Sequence, residues 1–251
     1  MRQIEALTQL IEQSKSIVFF GGAGVSTESG IPDFRSESGL YKAQQDYGYP
    51  PEELLSYGLF SRNPALFFRY YKENLISKDA KPNAAHKALA ALEHSGRLKA
   101  VITQNVDGLH QAAGSETVHE LHGSNWRQYC MTCGTPYELA YILDPANCKD
   151  DLIPLCTKCG GTVRPDVVLY GEGLDQEVIE AALEAISTAD LLIIGGTSLA
   201  VYPAAGLLNY FKGDKLVLIN KSETPADKRA ELVIHEAIGE VLGKVLEQIS
   251  S

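Results

Sequence analysis

The sequence predicts an α/β fold in which a doubly wound parallel sheet is joined by a second, smaller domain. Short, β-branched apolar runs alternate with helical repeats, and glycine-rich turns follow two of these runs. An aromatic stretch and a cysteine-rich stretch interrupt the alternation. Strands that alternate with helices are typical of a Rossmann-like sheet covered by helices on both faces. With 251 residues, 45% of them hydrophobic, the chain can form one large core and a smaller one.

Hydrophobic periodicity defines the elements of the larger domain. Ile4, Leu7 and Ile11 recur at helical spacing within the first fourteen residues, and a strand over 16–20 follows. Further buried strands are predicted over 99–103, 167–171, 190–196, 215–220 and 231–235. Helices are predicted over 83–96, 176–187 and 238–249. The larger domain is therefore assigned to 1–36, 78–122 and 163–251.

Two insertions are expected to form the smaller domain. Residues 37–77 are rich in Tyr and Phe and contain three prolines, so loops and helices without strands are predicted there. Residues 123–162 hold all five cysteines and the only tryptophan. We expect 37–77 and 123–162 to fold together beside the sheet, as a helical insert plus a zinc ribbon.

Composition disfavours several classes of partner. The net charge of -10 argues against binding to nucleic acid or to an anionic membrane surface. No apolar run approaches the roughly 18 residues of a membrane span, and the first residues lack the apolar block of a signal peptide. We expect a cytoplasmic, monomeric protein without nucleic-acid or membrane partners.

Four cysteines have the spacing of a metal site. Cys130 and Cys133 form one C-x-x-C pair, and Cys156 and Cys159 form a second, with a spacer slightly beyond the roughly 15–20 residues of a two-knuckle zinc ribbon. Four thiolates fill the tetrahedral shell of zinc, so the site would be structural. Two redox disulfides are the alternative, disfavoured in a reducing compartment. Cys148 lies outside the pattern and is expected to be a bystander thiol.

The stretch GGAGVSTESGIPDFRS, residues 21–36, follows the first strand and predicts an anion site. Its glycines let the backbone approach a phosphate at a helix N-terminus. However, Gly22 and Gly24 are followed by Gly30, which breaks the G-x-G-x-x-G spacing, so a tight turn of small residues is the alternative. Gly30 and Pro32 are expected to end the helix.

The chain that leaves the sheet after Pro32 carries Asp33, Phe34 and Arg35. Arg35 can pair with pyrophosphate charge, and Phe34 can cover a flat ring or exclude water. A capping loop without a ligand is the alternative.

A second polar cluster, in TQNVDGLH, follows the strand over 99–103. Gln104, Asn105 and Asp107 lie where ligands bind in open α/β sheets, and they suit a carboxamide and ribose hydroxyls. Helix capping accounts for Asp107 but hardly for all three. The following VHELHGS offers His119 and His122 as general bases, and these residues alone do not decide between them.

Several motifs together resemble the sirtuin family of NAD-dependent protein deacylases. They are GAGVSTESGIPDFRS, TQNVDGLH, ELHGS, the cysteine quartet and GTSLAVYPA, and they cover nearly the whole chain in order. The resemblance implies an NAD-dependent protein-lysine deacetylase that transfers acetyl groups to ADP-ribose. Its substrates would be acetyl-lysine proteins or peptides, with NAD as co-substrate and zinc as a structural ion. A protein mono-ADP-ribosyltransferase and a non-catalytic NAD-sensing module are the alternatives.

The resemblance also assigns roles to individual residues. His122 would be the general base, with Asn105 as the second catalytic residue beside the nicotinamide ribose. Asp107 and the backbone of Val106 would hold the nicotinamide carboxamide. The full set of NAD-binding residues would be Gly22, Ala23, Gly24, Thr27, Asp33, Phe34, Arg35, Gln104, Val106, Asp107, Gly196, Thr197, Ser198, Asn220, Lys221 and Ile238.

The acyl-lysine tunnel is expected in GTVRPDVVLYGEG, by the same resemblance. Phe34, Val168 and Tyr170 would line it, and the substrate would add as a strand between this segment and the chain around Val201 and Tyr202.

Relatives that prefer acidic acyl groups carry a Tyr-x-x-Arg pair, whereas here Tyr71 is followed by Asn74. A succinyl carboxylate would then be buried without its charge partner, so acetyl and other apolar acyl groups are expected to be preferred.

Overall fold

The computed structural model describes residues 2–33 and 37–249. The strands in these residues are β1 Ile17–Gly21, β2 Leu98–Thr103, β3 Val118–Glu120, β4 Gly123–Cys130, β5 Pro136–Glu138, β6 Cys148–Lys149, β7 Ile153–Pro154, β8 Val163–Val167, β9 Leu191–Gly195, β10 Lys215–Ile219 and β11 Leu232–Ile234. The helices are α1 Arg2–Gln13, α2 Glu37–Tyr47, α3 Pro51–Leu54, α4 Tyr57–Arg62, α5 Pro64–Asn74, α6 Ala84–His94, α7 Leu109–Ala112, α8 Leu139–Leu143, α9 Gln176–Thr188 and α10 Ile238–Ile249.

Six strands form one parallel sheet in the order β11-β10-β9-β1-β2-β3. The chain starts at the centre with β1, proceeds through β2 and β3 to one edge, and returns through β9 to the other edge. The sheet is therefore doubly wound, and the strand order reverses at β1. Ligands of such sheets bind beyond the carboxyl ends of the strands at this reversal, so the loops after β1, β2 and β9 are placed for a shared site.

Helices cover both faces of the sheet because side chains alternate along each strand. Ile17 and Phe19 face the layer formed by α1, α6 and α10. Val18 and Phe20 face the opposite layer, which contains α9 and the 3-10 segment Ala204–Tyr210. The predicted strands at β1, β2, β9, β10 and β11 and the predicted helices α1, α6, α9 and α10 are confirmed, with ends that differ by one or two residues.

The two insertions share a third hydrophobic core. Phe67, Phe68 and Tyr71 of α5 pack in one buried cluster with Ile142 of α8 and with Cys130 of β4. Strands β5, β4 and β8 form a separate antiparallel sheet beside this cluster. The division of the chain into two domains at the predicted boundaries stays a prediction.

The predicted buried strand over 167–171 is wrong. Strand β8 ends at Val167 and pairs with β4 in the three-stranded sheet, not in the parallel sheet. In the segment that follows, Leu169 is 2% exposed and packs in the aromatic cluster, whereas Tyr170 is 41% exposed and its backbone bonds Leu55 and Tyr57 of the helical insert. Strand β3 was not predicted, because only one of its three residues, Val118, is apolar. In the described residues, no helix is both long and apolar enough to cross a membrane.

Candidate active site

The glycine-rich turns after β1 and β9 touch each other at the carboxyl edge of the sheet. The N–H of Gly24 donates to the carbonyl of Gly196 at 2.8 Å. A Cβ on Gly24 would lie 2.8 Å from the Cα of Gly196, and one on Gly196 would lie 2.4 Å from the nitrogen of Val25. This close contact requires glycine at both positions even without a ligand. It is what the alternative of a tight turn of small residues predicts.

The predicted helix after β1 is replaced by two short 3-10 segments, Ala23–Val25 and Thr27–Ser29. Gly30 ends the second segment with φ of 84°, in the left-handed region that glycine adopts readily. The hydroxyl of Thr27 donates to the carbonyl of Gly24 at 3.0 Å. Asp33 is half-buried at the end of this stretch, whereas Phe34 and Arg35 lie outside the described residues.

A hydrogen-bonded cluster joins the loops after β1 and β2. The Ser26 hydroxyl donates to Asp107 Oδ2 at 2.7 Å and accepts from Asn105 Nδ2 at 3.1 Å. Asp107 Oδ1 also accepts at 2.9 Å from the N–H of Leu109, the first residue of α7, although the N-cap position of that helix is Gly108 and not Asp107. Gln104 is buried, and its Nε2 donates to Thr197 Oγ1 at 3.1 Å. The cluster presets the directions of the Asn105 and Asp107 side chains.

His122 connects the parallel sheet to the small sheet and points one ring nitrogen at a carbonyl. Its Nδ1 lies 2.9 Å from the carbonyl oxygen of Gln104. A carbonyl can only accept, so the neutral ring carries its proton on Nδ1 and its lone pair on Nε2. Nε2 is therefore the nitrogen that can take a proton.

A cavity of about 220 Å³ gathers the predicted acyl-lysine residues around His122. Val106 lies in its wall, and Val168, Tyr170 and Val201 also line it. His119 is not among the lining residues; it is half-buried on β3, and burial lowers the pKa of its imidazole. The cavity thus favours His122 as the histidine beside a bound substrate.

Tyr71 lines the same cavity, but Asn74 does not. The Tyr71 hydroxyl donates to Asn125 Oδ1 at 2.8 Å, and burial raises the pKa of this phenol. Asn74 instead donates to the hydroxyl of Tyr47 at 2.8 Å. No cationic side chain lines the cavity within the described part of the chain.

The residues predicted for the adenosine side lie at the ends of β9 and β10. Thr197 is buried, while Ser198 and Lys221 are exposed. Asn220 Nδ2 donates to the carbonyl of Ser222 at 2.8 Å. Ile238 is 3% exposed, with its side chain packed in the core near Gly195, so its side chain is not available to a ligand.

A family model described as "Sir2 family" matches residues 22–203, which include the glycine-rich turns, the polar cluster and the cavity. The chain belongs to the Sir2 family. It is 58% identical over 244 residues to an NAD-dependent protein deacetylase of Clostridium acetobutylicum, with 97% of this chain and 98% of that protein covered. It is also 58% identical over 246 residues to an NAD-dependent protein deacetylase of Clostridium perfringens, with 98% and 99% covered.

A solved structure described as "Sir2-p53 peptide-NAD+" superposes with a TM-score of 0.87 at 38% identity, covering 98% of both chains. The chain has the Rossmann-like sheet and the cysteine cluster that were predicted from its sequence, and both agree with membership of the Sir2 family.

The four cysteines of this Sir2-family chain lie together at one end of the three-stranded sheet. Their sulfur atoms are all within 4.8 Å of one another, with Cys130 to Cys159 at 3.5 Å and Cys133 to Cys156 at 3.7 Å. Sulfurs placed tetrahedrally about 2.3 Å from a zinc ion are about 3.8 Å apart, so the cluster fits zinc. The hydroxyl of Tyr137 donates to Cys156 and lowers the pKa of that thiol to about 6, which favours the thiolate that zinc requires.

Three residues of the site were missed by the sequence analysis. Ser26 bridges Asn105 and Asp107, and Trp126 bonds the turn after β2. Arg164 is 3% exposed and pairs with Glu172 at 2.6 and 2.9 Å, which fixes the loop that forms the cavity wall. Burial opposes ionisation of Glu172, but the bonds from Arg164 and Leu169 outweigh it and lower the pKa of the carboxyl. These contacts join residues that are separated along the chain, so no local sequence signal could have found them.

Proposed function

We propose that this chain is an NAD-dependent protein-lysine deacetylase that produces nicotinamide, O-acetyl-ADP-ribose and the deacetylated lysine. The single observation that carries the proposal is that His122 and Val106 line the same cavity as Val168, Tyr170 and Val201. A proton acceptor, the loop proposed for nicotinamide and the proposed acyl-lysine wall therefore meet at one place. Relatives at 58% identity named NAD-dependent protein deacetylase support it.

His122 is proposed as the general base. NAD supplies an electrophilic ribose carbon, which the acetyl oxygen attacks as nicotinamide leaves. Because Nδ1 of His122 is bonded to the Gln104 carbonyl and the residue lines the cavity, Nε2 is proposed as the basic nitrogen that serves the substrate. It would take the proton of a ribose hydroxyl, and that hydroxyl would then attack the acyl carbon. The lysine amine would then leave, and addition of one water molecule would give O-acetyl-ADP-ribose. Asn105, fixed by Ser26, would orient the ribose.

The predicted NAD-binding set is proposed to extend across the carboxyl edge of the sheet. The turns at Gly22–Gly24 and Gly196–Ser198 would meet the phosphates, with Thr27, Asp33 and the loop residues Phe34 and Arg35 beside them. Gln104, Val106 and Asp107 would meet the nicotinamide ribose and carboxamide. Asn220, Lys221 and the backbone of Ile238 would meet the adenosine.

Acetyl-lysine is proposed as the substrate, with apolar acyl groups preferred over succinyl. The described cavity lining contains no cation, and Asn74 points to Tyr47 instead. A succinyl carboxylate would lose its hydration without gaining a charge partner. A structure described as "Sir2 bound to acetylated peptide" resembles this chain with a TM-score of 0.87 at 37% identity, which agrees with this class of substrate.

Zinc is proposed to act on folding alone. The cysteine cluster has four sulfurs and so leaves no position for a substrate or water on the metal. Cys130 ends β4, and the second pair precedes β8, so a bound ion would tie together the two strands on which the cavity wall depends.

Mass spectrometry of products tests the proposed reaction. The chain is incubated with an acetyl-lysine peptide, a succinyl-lysine peptide and NAD labelled in the adenine. Deacetylation places the label in a small molecule with the mass of O-acetyl-ADP-ribose, and the acetyl peptide reacts faster than the succinyl peptide. Label attached to protein would indicate ADP-ribosyl transfer, and unreacted NAD would indicate a non-catalytic module.

We also propose that the protein acts in the cytoplasm as a monomer, without nucleic-acid or membrane partners. The net charge of -10 supports the absence of polyanionic partners. Light scattering at several protein concentrations tests the monomer, and a mass that rises to that of a dimer contradicts it.

A further inference from the structure

Two consecutive residues of β4 hold the turn that carries Asp107. The main-chain N–H of Asn125 donates to the carbonyl of Val106 at 2.8 Å. The indole Nε1 of Trp126 donates to the carbonyl of Asp107 at 2.7 Å. The small sheet therefore bonds the turn at two successive peptide groups, and the second bond depends on a side chain.

The indole ring also packs directly against this turn. Gly108 has φ of 73°, and a Cβ there would lie 2.6 Å from Nε1 of Trp126. Half of the Trp126 surface is exposed, at 50%, so burial of the ring is incomplete. The hydrogen bond is hence the specific contact that an indole makes here and that another aromatic ring would not.

We propose that Trp126 is a positioning residue for the nicotinamide side of the proposed NAD site, an inference that rests on the proposed function. Asp107 is bonded at its carboxylate by Ser26 and Leu109, and at its carbonyl by Trp126. The direction of the carboxylate depends on both sets of bonds. Without the indole bond, the peptide plane between Asp107 and Gly108 is less restrained, and the direction of the carboxylate depends on the bonds from Ser26 and Leu109 alone.

The role predicts an effect confined to one end of the dinucleotide. Val106 and Asp107 would contact the nicotinamide carboxamide, whereas the adenosine and phosphate contacts lie on the turns after β1, β9 and β10. ADP-ribose lacks nicotinamide but retains the rest of NAD. Loss of the indole bond must therefore weaken the binding of NAD and of free nicotinamide but leave the binding of ADP-ribose unaffected.

The test compares Trp126→Phe, which keeps a ring but removes the N–H donor, with Tyr129→Phe, which removes a ring hydroxyl on the same strand. Binding of NAD and of ADP-ribose is measured by calorimetry without peptide, so that no reaction occurs. One hydrogen bond corresponds to a change of about fivefold, so Trp126→Phe is expected to bind NAD about fivefold more weakly. Its affinity for ADP-ribose, and both affinities of Tyr129→Phe, remain at the unmodified values.

Two outcomes of this titration overturn the inference: an NAD affinity of Trp126→Phe equal to that of the unmodified chain, or an equal loss for NAD and ADP-ribose. The second result would indicate a general structural role. Inhibition by added nicotinamide, measured on deacetylation, is expected to weaken by the same factor. The calorimetry needs no turnover, so failure of the proposed reaction in the unmodified chain is seen separately, in the product assay.

The native chain offers a second measurement if Trp126→Phe does not fold. Trp126 is the only tryptophan, so its emission reports on this turn. NAD is expected to change the emission, while ADP-ribose at saturation leaves it unchanged. Identical spectra with the two ligands contradict a role confined to the nicotinamide side.

Discussion

Two buried imidazoles behind the polar cluster make the stability of this protein dependent on pH. His86 of α6 and His110 of α7 are 0% and 1% exposed, with ring centroids 4.7 Å apart. Among the described residues, His86 Nε2 and both ring nitrogens of His110 have no hydrogen-bond partner. Burial lowers the pKa of His86 to about 4 despite the nearby Asp107. Burial and the neighbouring His86 lower the pKa of His110 to about 3.

The direction of this pH dependence follows from the number of protons bound in the folded and in the unfolded chain. In the unfolded chain both imidazoles titrate near pH 6.5, whereas in the folded chain they stay neutral down to about pH 4 and 3. Below pH 6.5 the unfolded chain therefore binds more protons, and stability falls as the pH falls towards the folded pKa values. At pH 5 each histidine lowers the free energy of unfolding by about 2 kcal/mol relative to pH 8, so the pair lowers it by about 4 kcal/mol.

The assay measures the free energy of unfolding by urea at pH 8 and at pH 5. The variant His110→Phe keeps a ring beside Phe19 but cannot titrate at this position. The decrease in its free energy of unfolding between pH 8 and pH 5 is expected to be about 2 kcal/mol smaller than in the unmodified chain. His94→Gln removes an exposed histidine from α6 and serves as the control. A loss in His110→Phe as large as that in the unmodified chain refutes the reasoning, whatever its stability at pH 8.

Three further substitutions test other parts of the account. Ser26→Ala removes the hydroxyl that bonds Asn105 and Asp107, so kcat/KM for NAD should fall about 10- to 100-fold in initial-rate assays; an unchanged value contradicts the bridging role. Cys156→Ser removes one of the four sulfurs and should lower both the bound zinc, measured by a chelator dye, and the Tm; full zinc content contradicts the site. Arg164→Met leaves Glu172 partly buried without its partner and should cost about 2–4 kcal/mol in urea unfolding, whereas a loss below about 1 kcal/mol contradicts the buried pair.

Periodicity and turn chemistry predicted the elements whose burial repeats along the chain. Strand β1 has apolar side chains on both faces, and α1 and α10 carry helical stripes, so local sequence is sufficient for them. The run at 167–171 is equally apolar, yet β8 ends at Val167. Val167 and Leu169 are buried in the aromatic cluster, which needs the same apolar residue types as burial in a sheet, so sequence alone could not separate the two.

The candidate site was predictable where one short segment carries it. The C-x-x-C pairs supply two sulfurs from each tight turn, and the structure brings all four together. Gln104, Asn105 and Asp107 follow one strand and likewise meet at one edge. Ser26, Trp126 and Arg164 act through partners that only the fold brings near, so their hydrogen bonds had no sequence signal.

We propose that His122 takes a proton from a substrate bound in the shared cavity, and that this step couples NAD consumption to deacetylation. The most direct measurement is the ratio of nicotinamide released to acetyl-lysine peptide deacetylated, in the unmodified chain and in His122→Ala. We expect a ratio of one to one for the unmodified chain, and a loss of deacetylated peptide of at least about 100-fold for the variant. Deacetylation at an unchanged rate in His122→Ala would contradict it.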